Sequence, residues 1–181
     1  MSRGDFQVFL GVMSVVALFV FIALYFIKAG YGMFRTASWG ASINNKLAWV
    51  LMEAPVFFVM SALWIYSGIG VTIPQFIFLL LFLLHYFQRS FIFPLLLKGK
   101  SRMPVVIMAM GIVFNLLNGV MQAGGIFYFP VSELYGEGWR YFLSPWAIGG
   151  LLLFFIGMGI NLHSDYVIRH LRKPGDTKHY L

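Results

Sequence analysis

The sequence predicts an all-α protein: a multi-pass transmembrane helical bundle with about five spans and its N-terminus outside. Three observations carry this reading. The 181 residues are 60% hydrophobic and 19% aromatic but only 10% charged, whereas a soluble domain carries about 25% charged residues. Five apolar runs, about 6–27, 47–66, 73–97, 104–123 and 146–168, stand out, each long enough for the ~20 helical residues that cross a ~30 Å hydrocarbon core. Basic residues also alternate between the connections. Lys28, Arg35 and Lys46 lie in the first, Lys98, Lys100 and Arg102 in the third, and Arg172, Lys173 and Lys178 in the tail. The second connection has none, and the fourth sets Arg140 against Glu133 and Glu137. Cytoplasmic loops hold the basic excess, so the C-terminus is expected in the cytoplasm.

Each element has its own logic. The first run is not a cleaved signal peptide: it is too long, its leading segment holds only Arg3 beside Asp5, and no small-residue cleavage site follows. The second enters near Lys46, which puts Glu53, two residues before Pro55, roughly 10 Å inside the bilayer. The third ends near Lys98, placing His85, Tyr86 and Arg89 about 13–19 Å from that boundary. The fourth carries Asn115, Asn118 and Gln122 slightly deeper. The connection 124–145, rich in Gly, Pro and aromatic residues, is expected to form an interfacial cap with short helices. The fifth run passes without a break into GMGINLHSDYVIRHLRKPGD, 157–176, which gathers Asn161, His163, Asp165, Arg169 and Arg172. No repeat or low-complexity tract divides the chain, so 1–181 reads as one membrane domain.

Several functions are excluded or disfavoured at once. Cysteine is absent, which removes disulfides, thiolate nucleophiles and cysteine-ligated metals. The four histidines show no HExxH spacing, so no metal is expected. The net charge of +7 follows the topology of the loops and does not call for nucleic acid. Gly30-Tyr31-Gly32 and Gly157-Met158-Gly159 lack the third glycine of a dinucleotide fingerprint, and the second lies inside a span with no strand before it.

Polar groups inside hydrocarbon are costly and need partners. Singly, each has an ordinary role. Glu53 could lock helices together, and His85 and Arg89, at i and i+4, could pair with a carboxylate. Asn118 and Gln122 could be interhelical glue, and Arg169, Arg172 and Lys173 plain anchors. Three helices nevertheless bring such groups to the same half of the bilayer, which predicts a cytoplasm-facing polar pocket. Arg89, Arg169 and Arg172, with Lys98 and Lys100 at the mouth, suit a phosphorylated ligand. Below them, Glu53 and Tyr86 supply an acid and a phenol able to donate hydrogen bonds to a carbonyl that gains negative charge. A phosphate-rich cofactor above a lipophilic carbonyl compound is the arrangement a membrane reductase needs.

The stretch Asn161-Leu-His-Ser-Asp165-Tyr-Val-Ile-Arg169-His-Leu-Arg172-Lys-Pro-Gly-Asp176 resembles the signature of the steroid 5α-reductase family. His85-Tyr86-Phe-Gln-Arg89, followed by Lys98-Gly-Lys100, is similar to that family's HYxxR segment and basic tail. Ala48-Trp49-Val-Leu-Met52-Glu53-Ala-Pro55 is similar to its AWxxxExP helix, and Tyr31-Gly32 and Asn118-Gly119 are weaker echoes. The resemblance implies NADPH-dependent reduction of a 3-oxo-Δ4 steroid drawn from the membrane, with hydride to C5 and a proton to C4. It implies that Glu53 and Tyr86 are catalytic, bonding the C3 carbonyl, and that Trp49, Met52 and Asn118 lie on the substrate side. Arg89, Lys100, Asn161, Asp165, Arg169, Arg172, His179 and Tyr180 would line the cofactor site, with His163 in a supporting role.

This chain departs from the family at three points. Met52 stands where the family usually has Gln. The tyrosine expected five residues after Pro174 falls on His179, with Tyr180 one place later. The family fold is expected to comprise seven spans, so the sequence reads as the N-terminal part of a longer reductase domain. Two other functions compete with steroid reduction: an enoyl-CoA or polyprenol reductase on the same scaffold, and a non-catalytic membrane protein such as a small transporter or assembly partner. The last would place Glu53 and Tyr86 in different helix interfaces. Short loops and absent cysteine suit a bacterial inner membrane, and an endoplasmic reticulum membrane is the alternative.

Overall fold

The computed structural model describes residues 1–27, 30, 37–68, 72–98, 101–130 and 133–170. Within them lie five helices long and apolar enough to cross a membrane: α1 (Arg3–Phe26), α2 (Asn45–Ser67), α3 (Ile73–Leu96), α4 (Val105–Tyr128) and α5 (Pro145–His170). All five expected spans are present. Continuous helix is what lipid demands, because every backbone N–H and C=O must be bonded within the segment.

The helix starts are written into the sequence. Ser2 and Asp5 form a reciprocal capping box on α1, and the Asn44 side chain accepts from the backbone N–H groups of Lys46 and Leu47 at the start of α2. Helix α2 ends at Gly68, whose φ of 59° is the left-handed conformation glycine tolerates best. Thr72 and Gln75 cap α3, with Pro74 in its first turn.

Two helices contain a wide π turn: Gln88–Ile92 inside α3 and Gly124–Tyr128 at the end of α4. The fourth apolar run was expected to stop at Ala123, before the glycine pair. Instead the helix continues through Gly124 and Gly125, and the Gln75 side chain donates to the Ile126 carbonyl at 2.7 Å. The expected cap of short helices is thus split between this π turn and a 3₁₀ stretch, Glu133–Leu143, bent at Gly138. Tyr141 and Phe142 of that stretch pack edge-on against Phe78 of α3.

A feature beyond the all-α expectation is a minimal antiparallel pair, β1 (Ser42–Asn44) with β2 (Arg102–Pro104). It ties the first residues of α2 and α4 together, reinforced by Asn45 N–H to the Ser101 carbonyl, Val105 N–H to the Ala41 carbonyl, and Arg102 donating to Ser42. Helices α2 and α4 therefore start side by side, run parallel and form the largest interface among the described residues. Their close approach uses glycine. A Cβ at Gly111 would collide with the Met52 side chain, and one at Gly119 would lie 2.8 Å from Val59 Cγ1. Gly119→Val is accordingly expected to lower stability by about 1–3 kcal/mol through overpacking, read as a reduced melting temperature in detergent.

Helix α3 runs antiparallel to α2, with Phe91 against Phe57 and Phe93 against Trp49. Near the opposite end, Met60, Leu79, Ala123 and Phe127 form the apolar core of the α2–α3–α4 trio. Helix α1 joins it through Phe6, its one buried residue, which stacks on Phe129 and fills the space over Gly124. Helix α5 has only Ala147 and Asp165 buried.

Candidate functional site

Helix α2 supplies Glu53 and Trp49. Glu53 lies a little over two turns along α2 from the β1–β2 clasp, on the face turned toward α4. There Asn115, 4% exposed, donates from Nδ2 to the Met52 carbonyl at 2.8 Å and to Glu53 Oε2 at 3.4 Å. Pro55 has no N–H to offer the carbonyl four residues earlier, so this stretch of α2 has a weakened backbone ladder, and the neighbouring carbonyl gains a side-chain donor from α4. The Met52 side chain itself fills the notch at Gly111.

Helix α3 supplies His85, Tyr86 and Arg89. One helical turn along α4 from Asn115, Asn118 donates from Nδ2 to the Tyr86 hydroxyl at 2.7 Å. The Tyr86 ring is held between Phe82, 4.6 Å between centroids, and the edge of His85. His85 also packs against Phe154 of α5. A regular helix would put His85 and Arg89 on one face. Arg89 falls within the π turn, and its guanidinium reaches α5, donating from one terminal nitrogen to Asp165 Oδ2 at 3.1 Å and Oδ1 at 3.4 Å. The two side chains are 14% and 11% exposed, so this is a buried ion pair. The guanidinium lies over the rings of Trp49 and Phe93, 5.0 and 4.6 Å from their centroids, in a cation–π sandwich. Its charge acts on Glu53, His85 and Tyr86, and that of Glu53 on Tyr86.

Helix α5 contributes the remaining polar groups. Asn161 lies one turn before Asp165 and is half-buried, with its Oδ1 enclosed and without a hydrogen-bond partner among the described residues. Arg169 donates from Nε to the Asp165 carbonyl at 3.0 Å, and His163 is exposed. Lys100, Arg172, His179 and Tyr180 lie outside the described residues. The structure thus brings Trp49, Glu53, Tyr86, Arg89, Asn118 and Asp165 into one connected neighbourhood, with Asn161 adjacent on α5. Asn115 joins them. Its sequence signal was present, an amide at i−3 from Asn118, but only the α2–α4 contact shows which group it serves.

This neighbourhood adjoins two openings between α3 and α5. One, about 330 Å³, is lined by His85, Leu153, Phe154, Gly157 and Met158. The other, about 320 Å³, lies farther from the clasp between Phe82, Gln122, Tyr141 and Trp146. Both share Phe154, and His85 and Phe82, which flank the Tyr86 ring, each line one of these largely apolar openings, whose size is that of small-ligand sites.

The groups present also suit a nucleotide. A buried amide oxygen without a partner is an acceptor awaiting a donor, and Asn161 precedes by one turn Asp165, which Arg89 and Arg169 both bond, a set that can engage amide, hydroxyl and phosphate groups.

Known proteins resemble this chain over most of its length. Residues 101–181 match the family model described as 3-oxo-5-alpha-steroid 4-dehydrogenase. The chain is 38% identical over 162 residues to 3-oxo-5-alpha-steroid 4-dehydrogenase 2 of Sus scrofa, covering 86% of this chain and 61% of that protein. It is 36% identical over 162 residues to the Homo sapiens protein of the same name, covering 87% and 61%. With a steroid 5-alpha-reductase of Gossypium hirsutum it shares 34% identity over 170 residues, covering 90% and 63%. The chain spans about three-fifths of the length of these relatives.

Proposed function

We propose, from a chain that belongs to the 3-oxo-5-alpha-steroid 4-dehydrogenase family, that it serves NADPH-dependent reduction of the Δ4 double bond of a 3-oxo steroid within the membrane. The observation that carries this reading is the pairing of Glu53 and Tyr86 with two asparagines on successive turns of one helix. Two hydrogen-bond donors of different helices are thereby held at one depth, beside an apolar slot.

In this reading the carbonyl oxygen of the enone lies between Tyr86 and Glu53. Both donate hydrogen bonds to it and stabilise the negative charge that grows there during reduction, as in an oxyanion hole. Asn118 occupies a lone pair of the phenol oxygen and leaves the O–H free for the substrate. Trp49 and Phe93 hold Arg89 rigid, and Arg89 in turn orients Asp165 toward the cofactor side. Asn161, Asp165, Arg169 and Arg89, with Lys100, Arg172, His179 and Tyr180, would hold NADPH. The chemistry NADPH supplies when bound is a hydride for C5 of the conjugated enone. Apolar walls from Phe82 and Phe154 exclude water from the reacting carbons. The basic end of the bundle, at Lys46, Lys98 and Arg102, faces the cytoplasm, where a soluble nucleotide is available, while the steroid arrives from the lipid.

The test is incubation of the purified protein in nanodiscs with NADPH and, separately, testosterone, a polyprenal-like lipid and an enoyl-CoA. NADPH consumption with a 5α-reduced product from testosterone alone is the expected result. Consumption only with the polyprenal or the thioester would move the reading to those substrates, and none with any of the three would remove the reductase function.

A further inference from the structure

Asn115 stands apart from the residues so far given roles. It is buried, sits at the α2–α4 interface between Gly111 and Gly119, and contacts α2 at the residue pair Met52–Glu53. Its orientation is fixed by chemistry. A backbone carbonyl only accepts, so the atom 2.8 Å from the Met52 oxygen must be the amide nitrogen. That nitrogen has two hydrogens. One engages the Met52 carbonyl, and the other is directed at Glu53 Oε2, 3.4 Å away.

A carboxyl oxygen that receives an N–H cannot also point its own hydrogen at the same nitrogen. The amide therefore distinguishes the two oxygens of Glu53, making Oε2 the acceptor and leaving Oε1 to carry the acid proton. The close approach at Gly111 and Gly119 brings the amide this near to the α2 backbone, and the bond to the Met52 carbonyl stops it from turning with the carboxyl.

We propose that Asn115 is a positioning residue for the acid: anchored on the Met52 carbonyl, it fixes the Glu53 carboxyl so that the proton on Oε1 faces the substrate carbonyl. This rests on the reductase reading given above. No bond is made or broken at Asn115. It acts by keeping Glu53 in the one orientation in which its O–H and that of Tyr86 converge.

The test compares Asn115→Leu, close in volume and apolar, with Glu53→Gln and the double variant, using testosterone and NADPH. Asn115→Leu is expected to lower kcat about 10²-fold, the scale on which a misplaced catalytic group costs rate, with KM little changed. The double variant is expected to be no slower than Glu53→Gln alone, because residues acting as a unit do not add. A second readout is infrared difference spectroscopy of bound testosterone without cofactor. Its C3 carbonyl stretch should move to higher frequency in Asn115→Leu, as the hydrogen bond from Glu53 loosens. If Asn115→Leu does not fold, Asn115→Asp answers the same question, since it keeps the shape but sets an oxygen against Oε2, and turnover should again fall. Unchanged kcat and carbonyl frequency, with Glu53→Gln still slow, would overturn the proposal and leave the reductase reading standing. Glu53→Gln turning over like the parent protein would instead overturn the role of Glu53, and this inference with it.

Discussion

Tyr86→Phe is expected to reduce turnover of testosterone about 10²–10³-fold, equivalent to roughly 2.7–4 kcal/mol of lost charge stabilisation, while NADPH affinity stays essentially unchanged. The ring of Tyr86 is fixed by Phe82 and His85, so Phe keeps the packing and removes only the hydroxyl. That hydroxyl accepts from Asn118 at 2.7 Å, which leaves its own hydrogen for the ligand. Its loss also leaves the buried Asn118 amide without its partner, and a small fall in stability is expected beside the kinetic effect. Single-turnover kinetics with a separate cofactor titration divides the two contributions. If cofactor affinity fell and the chemical step did not, Tyr86 would belong to the nucleotide side of the site.

Asp165→Leu carries the second large effect, this time on stability. It would leave the Arg89 guanidinium buried against the faces of Trp49 and Phe93 without the carboxylate it bonds. Removing one member of a buried ion pair costs about 3–5 kcal/mol, whereas replacing both with apolar groups is often neutral. The double variant Arg89→Leu/Asp165→Leu is therefore expected to unfold at a higher temperature than Asp165→Leu alone. Thermal unfolding of the four proteins in one detergent closes the cycle. A double variant less stable than either single would mean that the pair is not the main contact holding α5 to α3.

Much of this arrangement was legible in the sequence. Apolar length dictated the five spans, because in lipid a helix is the one way a single segment satisfies its own backbone. The expense of polar groups in hydrocarbon singled out Glu53, Tyr86, Arg89 and Asp165 before any neighbour was known. What the sequence did not disclose has three physical causes. The strands β1 and β2 are three residues each, too short for alternation to register. The continuation of α4 through Gly124 and Gly125 contradicts the usual reading of paired glycines as a break, since here the surroundings and the Gln75 side chain replace what local propensity lacks. The role of Asn115 depends on the parallel contact of two helices whose starts lie about sixty residues apart. No local pattern encodes that register; only the notches at Gly111 and Gly119 do, and they are visible once the helices are paired.

The π turn at Gln88–Ile92 amounts to one extra residue threaded into a helix, and each residue of an α-helix is worth about 100° of rotation. The chain on the two sides of the turn is thus out of phase by about that angle. Upstream, Tyr86 meets α4; within the turn, Arg89 reaches α5; downstream, Phe93 comes back to Trp49 on α2. One helix addresses three neighbours over eight residues because its phase slips once between them. Spacing here is therefore as much a part of the site as residue identity, and this short interval has little freedom to gain or lose a single position.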